Sequence, residues 1–212
     1  MSASDGGILI VCAANVCRSP MAEFAIRRVF GTRDGFGGVP VASAGLRVED
    51  ARSACRDVVA FRDEPMWQQT AAQHVARPLD RDMIRAATLI LAATREQRSA
   101  VVAQAPERRS AVFTLREALW LGRDYERAAN TPIPRVVAAF GEHIHGMRGL
   151  RPLPTPQRQR LWTRTVPDPL DIPDGHGGRA RAHHAAMRAA LVGGNELAER
   201  IAGPRSLAGE PG

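Results

Sequence analysis

An apolar run that ends on a cysteine, with an arginine six residues on and Ser-Pro straight after it, constrains this chain more than any other feature. It reads Gly7-Ile-Leu-Ile-Val-Cys12, then Ala13, Ala14, Asn15, Val16, Cys17, Arg18, Ser19 and Pro20. The run carries no charge, which suits a parallel strand covered on both faces. The Ser-Pro step predicts a helix start, with Ser19 as cap and Pro20 in the first turn. Met21, Phe24, Ala25 and Val29 then recur at helical spacing until Gly31 stops the pattern. A strand, a tight loop and a helix N-terminus turn successive backbone N–H groups toward one concavity, which binds tetrahedral oxyanions. Arg18 closes that loop with a planar fork able to grip two oxygens. Cys12 sits at its base, where the positive helix end and the guanidinium offset the charge of a thiolate nucleophile.

The rest of the chain alternates in the same way. Val39 to Ala44, Ala87 to Ala93 and Ala111 to Leu115 read as three more strands. Helical patches are expected over Ala51 to Arg62, Leu79 to Arg85, Arg95 to Gln104, Val136 to Met147 and Arg179 to Ala202. Strands alternating with helices predict an α/β fold, a three-layer doubly wound four-stranded parallel sheet with helices on both faces and the anion loop after strand 1. Residues 1–202 are expected to form a single domain with an insertion at about 122–165, and 203–212 a disordered tail.

Composition narrows the function classes. The chain has 212 residues, 44% of them hydrophobic, enough for a full core. Net charge is +7, and since the sequence contains no lysine, all 29 basic residues are arginine. They are scattered rather than gathered into a stripe, and aromatics are only 5%, so nucleic acid is not expected as a partner. No segment has the length and apolarity to insert in a membrane, and Met1 to Gly6 lacks a leader pattern, so the expected location is the cytoplasm. Three cysteines with no C-x-x-C pair fit a reducing compartment and no structural zinc.

By spacing alone, a cysteine and an arginine six apart arise easily among 29 arginines. The segment Val11 to Glu23 as a whole, however, resembles the signature of the low-molecular-weight protein tyrosine phosphatase family. The resemblance continues in Ser43-Ala-Gly45, in His74-Val-Ala-Arg77, in the strand around Leu89, and in Val166-Pro-Asp-Pro169. It implies a phosphomonoester hydrolase acting on phosphotyrosine in proteins through a cysteinyl-phosphate, with no cofactor and no metal, as a monomer or weak dimer. It also implies roles. Cys12 is the nucleophile and Arg18 the phosphate clamp. Ala13, Ala14, Asn15, Val16, Cys17 and Ser19 bind the phosphate, while Ser43 and His74 support the loop. Asp168 is the general acid, stiffened by Pro167 and Pro169, with Asp171 and Asp174 as fallbacks on the same stretch.

The sequence departs from the family pattern in places. Ala14 stands where glycine is common, and Leu170-Asp171 where an aromatic usually follows Asp-Pro. Three competing functions are expected to rank lower. An arsenate reductase of this fold needs two more relay cysteines, and residues 87–115 contain none. A phosphoarginine phosphatase is associated with threonine at Val16. A catalytically weak phosphate-binding module would lack Cys12, Arg18 or the acid. His143, His145 and the pair His183-His184 are not expected to bind metal, having no nearby cysteine or carboxylate set in the sequence. Cys17 could form a disulfide with Cys12 or merely pack, and Cys55 is expected on a helix face, inert.

Overall fold

Four parallel strands make one sheet in the order β2-β1-β3-β4. They are β1 (Ile8–Cys12), β2 (Val41–Gly45), β3 (Leu89–Ala92) and β4 (Val112–Thr114). The computed structural model describes residues 7–155, 168–175 and 180–204. Ile8 pairs with Val41 on one side and Leu89 on the other, and Leu91 pairs with Phe113. Every residue of β1, β3 and β4 is buried, as uncharged central strands require.

Among the described residues the helices are α1 (Arg18–Gly31), α2 (Arg56–Val59), α3 (Pro65–Ala72), α4 (Arg81–Ala86), α5 (Arg95–Gln104), α6 (Leu115–Leu121), α7 (Val136–Gly146) and α8 (Ala180–Ala202). The pleat sorts strand residues between two cores. Ile8, Ile10, Leu89, Leu91 and Phe113 meet Met21 and Phe24 of α1, Leu121 of α6, Phe140 of α7 and Leu191 of α8. Leu9, Val11, Ile90 and Val112 face the other way, toward Ile84 of α4 and Val101 of α5. The result is the doubly wound, three-layer architecture expected from the alternation. Helices α1 and α8 press close together at Gly194, where a Cβ would stand 2.8 Å from the carbonyl oxygen of Ala22.

Several elements differ from the sequence expectation. Helix α1 starts at Arg18, with Cys17 at its cap. Ser19 lies inside the first turn because its hydroxyl is drawn to Cys12 instead of capping. The helix expected over Ala51 to Arg62 is only Arg56–Val59, and α3 and α6 were not anticipated. Helix α6 has a plain signal in Thr114-Leu-Arg-Glu117: Thr114 and Glu117 cap each other's backbone N–H reciprocally. Within residues 122–155, α7 sends Val136, Phe140 and Ile144 fully into the core. No helix among the described residues is long and apolar enough to cross a membrane.

Candidate active site

The strand order reverses beside β1, and the crevice at the carboxyl ends of β1, β2 and β3 is where open α/β sheets bind ligands. The loop from Cys12 to Arg18 occupies it. Cys12 Sγ lies 3.0 Å from Ser19 Oγ and accepts the Asn15 backbone N–H at 3.3 Å. Two dipoles therefore point at the sulfur, which favours attack by a thiolate and later departure of one.

Asn15 is the hub that gives the loop its shape. It sits in the left-handed region at φ 54, a conformation Asn tolerates better than most residues. It is fully buried, and all of its polar side-chain atoms find partners. Its amide donates to Ser19 Oγ (3.0 Å) and Ser43 Oγ (2.7 Å), while its Oδ1 accepts the Arg77 N–H (3.0 Å). His74 Nε2 bonds the Asn15 carbonyl at 2.8 Å. Thus Asn15, Ser19, Ser43 and His74, read from the sequence as a supporting set, come together. Ala14 stays outside the positive-φ region, so the loop needs no glycine there. Glycine is needed instead at Gly45, where a Cβ would stand 2.9 Å from the Ala13 oxygen.

Two supports escaped the sequence reading. Buried Glu23 accepts the Ser43 hydroxyl at 2.6 Å, extending the chain Glu23–Ser43–Asn15–Ser19–Cys12. Arg77 donates through Nε to the Ser43 carbonyl at 2.7 Å. Glu23 lies within the quoted signature, and a carboxylate on the inward face of an apolar helix was the available signal.

The acidic stretch 168–175 crosses the carboxyl ends of β3 and β4. Ile172 N–H bonds the Ala93 carbonyl at 2.8 Å, and Thr114 Oγ1 bonds the Leu170 carbonyl at 2.8 Å. Its three carboxylates have different partners. Asp168 accepts from the Arg95 guanidinium and from Leu170 N–H. Asp171 accepts Arg95 N–H at 2.7 Å, at the start of α5. Asp174 alone of the three meets the anion loop, at 2.6 Å from the guanidinium of Arg18. Arg18 is buried and also donates to the Ile172 carbonyl at 3.1 Å. Leu170, in the position read as following Asp-Pro, is buried rather than open to a ligand. Val166 and Pro167 lie outside the described residues.

Residues 7–134 match the family model of low molecular weight phosphotyrosine protein phosphatase. The chain belongs to that family. A protein-arginine-phosphatase of Bacillus subtilis (strain 168) is 36% identical over 110 residues, 52% of this chain and 70% of that protein. The low molecular weight protein-tyrosine-phosphatase Etp of Escherichia coli (strain K12) is 33% identical over 143 residues, 66% of this chain and 85% of that protein. Among solved structures, the YwlE arginine phosphatase from Geobacillus stearothermophilus aligns with TM-score 0.56 at 23% identity, covering 92% of this chain and 91% of that one. Wzb of Vibrio vulnificus in complex with benzylphosphonate aligns with TM-score 0.58 at 18% identity, covering 92% and 99%. These structures share the fold. As a member of the low molecular weight phosphatases, the chain is a cysteine-based hydrolase.

The remaining cysteines and histidines are not arranged as the sequence suggested. Cys55 caps α2 and stands against Cys17 and His183. A hydrogen bond between the two thiols shifts their acidities in opposite directions. Cys55 is drawn down to about 5, chiefly by the hydrogen bond from the Cys17 thiol, then by the Val58 N–H and His183. Cys17 is pushed up by that same bond and by burial. His183 therefore does have cysteines and a carboxylate beside it, contrary to the expectation, because helices far apart in sequence bring them there. His184 stacks on Phe61, and His143 lies against Tyr125.

Proposed function

We propose that the chain hydrolyses phosphomonoesters in phosphorylated proteins, phosphotyrosine foremost, through a cysteinyl-phosphate on Cys12. The observation that carries this reading is the convergence of Cys12 Sγ, the Asn15 N–H and Ser19 hydroxyl at 3.3 and 3.0 Å, and a buried Arg18 on one loop. Loop N–H groups and Arg18 hold the three non-bridging oxygens while sulfur attacks phosphorus opposite the leaving oxygen. The S–P bond forms as the P–O bond to the side chain breaks. Water then displaces the sulfur, giving inorganic phosphate and restoring the thiolate, which the Ser19 hydroxyl stabilises as it leaves.

The leaving oxygen needs a proton, and we assign its donor to Asp174. The resemblance puts Asp168 first, with Asp174 as a fallback on the same stretch. The contact of Asp174 with Arg18 supports the assignment: the carboxylate closest to the phosphate clamp is the one within reach of the ester oxygen. The bond of Asp168 to Arg95 favours an anchoring role, fastening the stretch to α5. When a phosphate monoester enters, Asp174 gives up the guanidinium, takes up a proton from solvent and stands over the leaving oxygen, to which it passes that proton as the P–O bond breaks. In the second step it removes a proton from the attacking water.

Phosphoarginine is the second reading, favoured by the Bacillus subtilis relative, at 36% identity. Val16, buried in the hydrophobic core, brings no hydroxyl to the loop, which favours an aryl group over a guanidinium that wants acceptors. Location in the cytoplasm belongs to the same proposal. Turnover of phosphotyrosine, phosphoserine and phosphoarginine peptides by the purified chain in excess chelator tests it. Preference for phosphotyrosine by ten-fold or more in kcat/KM supports the first reading, and preference for phosphoarginine replaces it with the second.

A further inference from the structure

Beside the anion loop, donor atoms from three separate segments meet. The sulfurs of Cys17 and Cys55 and a ring nitrogen of His183 all lie within 4.8 Å of one another. Cys17 comes from the loop itself, Cys55 from the cap of α2, and His183 from the first turn of α8. Cys55 Sγ is 3.5 Å from His183 Nε2, and Asp57 Oδ2 is 3.3 Å from that same nitrogen.

The shared nitrogen matters. In a proton relay the carboxylate and the sulfur would engage opposite nitrogens of the imidazole. Here both face Nε2: the two sulfurs and that nitrogen converge, and the exposed Asp57 carboxylate stands beside the nitrogen. Zinc bonds of about 2.3 Å to sulfur and about 2.0 Å to nitrogen and oxygen, set tetrahedrally, give edges of about 3.5 Å between sulfur and nitrogen. The same geometry gives about 3.3 Å between nitrogen and oxygen. The two measured separations match those edges. Two thiolates and an imidazole also make a borderline-soft set that selects zinc over magnesium or calcium.

We propose that Cys17, Cys55 and His183 form a structural zinc site that ties the anion loop to α2 and α8, with the exposed Asp57 carboxylate swinging in from beside His183 as fourth ligand. The donor set is closed by protein groups, with none contributed by Cys12, so the metal takes no part in the transfer. Uptake replaces the Cys17 thiol proton, and any proton on Cys55, with S–Zn bonds, and what is released passes to solvent. Because Cys17 directly precedes Arg18, the tie fixes the end of the loop that carries the phosphate clamp. The proposal is independent of which phosphorylated residue the enzyme accepts.

The test uses the reduced full chain carrying Cys12→Ser, so that the nucleophile supplies no sulfur ligand, titrated with cobalt(II) as the spectroscopic probe. One equivalent should bring up thiolate-to-cobalt charge transfer and strong tetrahedral visible bands, and one equivalent of zinc should bleach them. Cys55→Ser and His183→Gln, each checked for retained vanadate binding, should weaken cobalt affinity at least about 100-fold, above the range seen for outer-shell changes. Zinc at about a hundred times its dissociation constant should raise the melting temperature of the parent chain by about 5 °C or more. Absence of the charge-transfer band, or bands unmoved by both substitutions, would overturn the site. So would a Cys17–Cys55 disulfide, mapped in the native chain, that forms in place of metal binding.

Discussion

The carboxylate of Asp174 lies 2.6 Å from the guanidinium of Arg18, half exposed above a clamp that is only 4% exposed. An arginine shaped to hold a phosphate thus carries a carboxylate in its place, offered by the stretch that crosses the ends of β3 and β4. In the proposed mechanism substrate displaces it, so Asp174 both competes with the phosphate and serves it. Asp174→Asn should therefore tighten vanadate or inorganic phosphate binding several-fold while lowering kcat on phenyl phosphate by ~10²–10⁴-fold. The loss should shrink on an activated aryl ester, whose oxygen leaves without a proton. Asp168→Asn should keep the leaving-group dependence of the parent, and the reverse pattern would return the acid to Asp168. Leaving-group series on both variants, with Asp171→Asn as control, decide it.

The Asn15 hub separates backbone from side-chain effects. Asn15→Ala removes three side-chain hydrogen bonds and leaves a β-carbon at φ 54. Asn15→Gly removes the same bonds and relieves the strain. Both should lower kcat by about ten-fold or more through a loosened loop. The alanine variant should also be less stable than the glycine variant by about 1 kcal/mol in urea unfolding. Equal stability of the two would mean that the left-handed turn costs nothing here.

Arg18→Lys keeps the charge and loses the fork. It should raise the phosphate dissociation constant and lower kcat/KM by about a hundred-fold or more, since a point ammonium cannot hold two oxygens in one plane. Isothermal titration with phosphate beside steady-state kinetics reads both. A lysine variant within three-fold of the parent would contradict the bidentate role.

The buried Glu117 carries a stability prediction separate from catalysis. It is 1% exposed and pairs with Arg98 at 2.9 Å and Arg148 at 3.0 Å, joining α5, α6 and the segment after α7. Removing one partner of a buried ion set typically costs about 3–5 kcal/mol. Glu117→Gln should lose about 3 kcal/mol in chemical unfolding with kcat unchanged, because no atom of the set meets the loop. A neutral substitution would show that Arg98 and Arg148 reach water readily.

The placing of Cys12 and Arg18 on one loop held by Asn15, Ser19, Ser43 and His74 was legible because these residues sit in short motifs whose spacing carries the geometry. Strands β1, β3 and β4 were legible because burial on both faces leaves uncharged runs. Helix α3 was not, since Pro65-Met-Trp-Gln-Gln-Thr mixes polar and apolar residues without a clear period, and only tertiary packing of Trp67 and Ala71 makes it helical. The partners of the acidic residues were also hidden. Asp168, Asp171 and Asp174 lie within seven positions of one another and share proline-rich surroundings, so local chemistry does not rank them; their partners Arg95 and Arg18 are distant in sequence. The meeting of Cys17, Cys55 and His183 escaped for the same reason, spanning most of the chain.

The central claim is that phosphorus passes through the sulfur of Cys12. Rapid acid quench of the enzyme with phosphotyrosine substrate, followed by peptide mass spectrometry, tests it most directly. One added phosphoryl group on the peptide containing Cys12, present during turnover and absent in Cys12→Ser, is the expected result. Turnover by the Cys12→Ser chain at an undiminished rate, or a phosphoryl group found on any other residue with Cys12 unmodified, would contradict it.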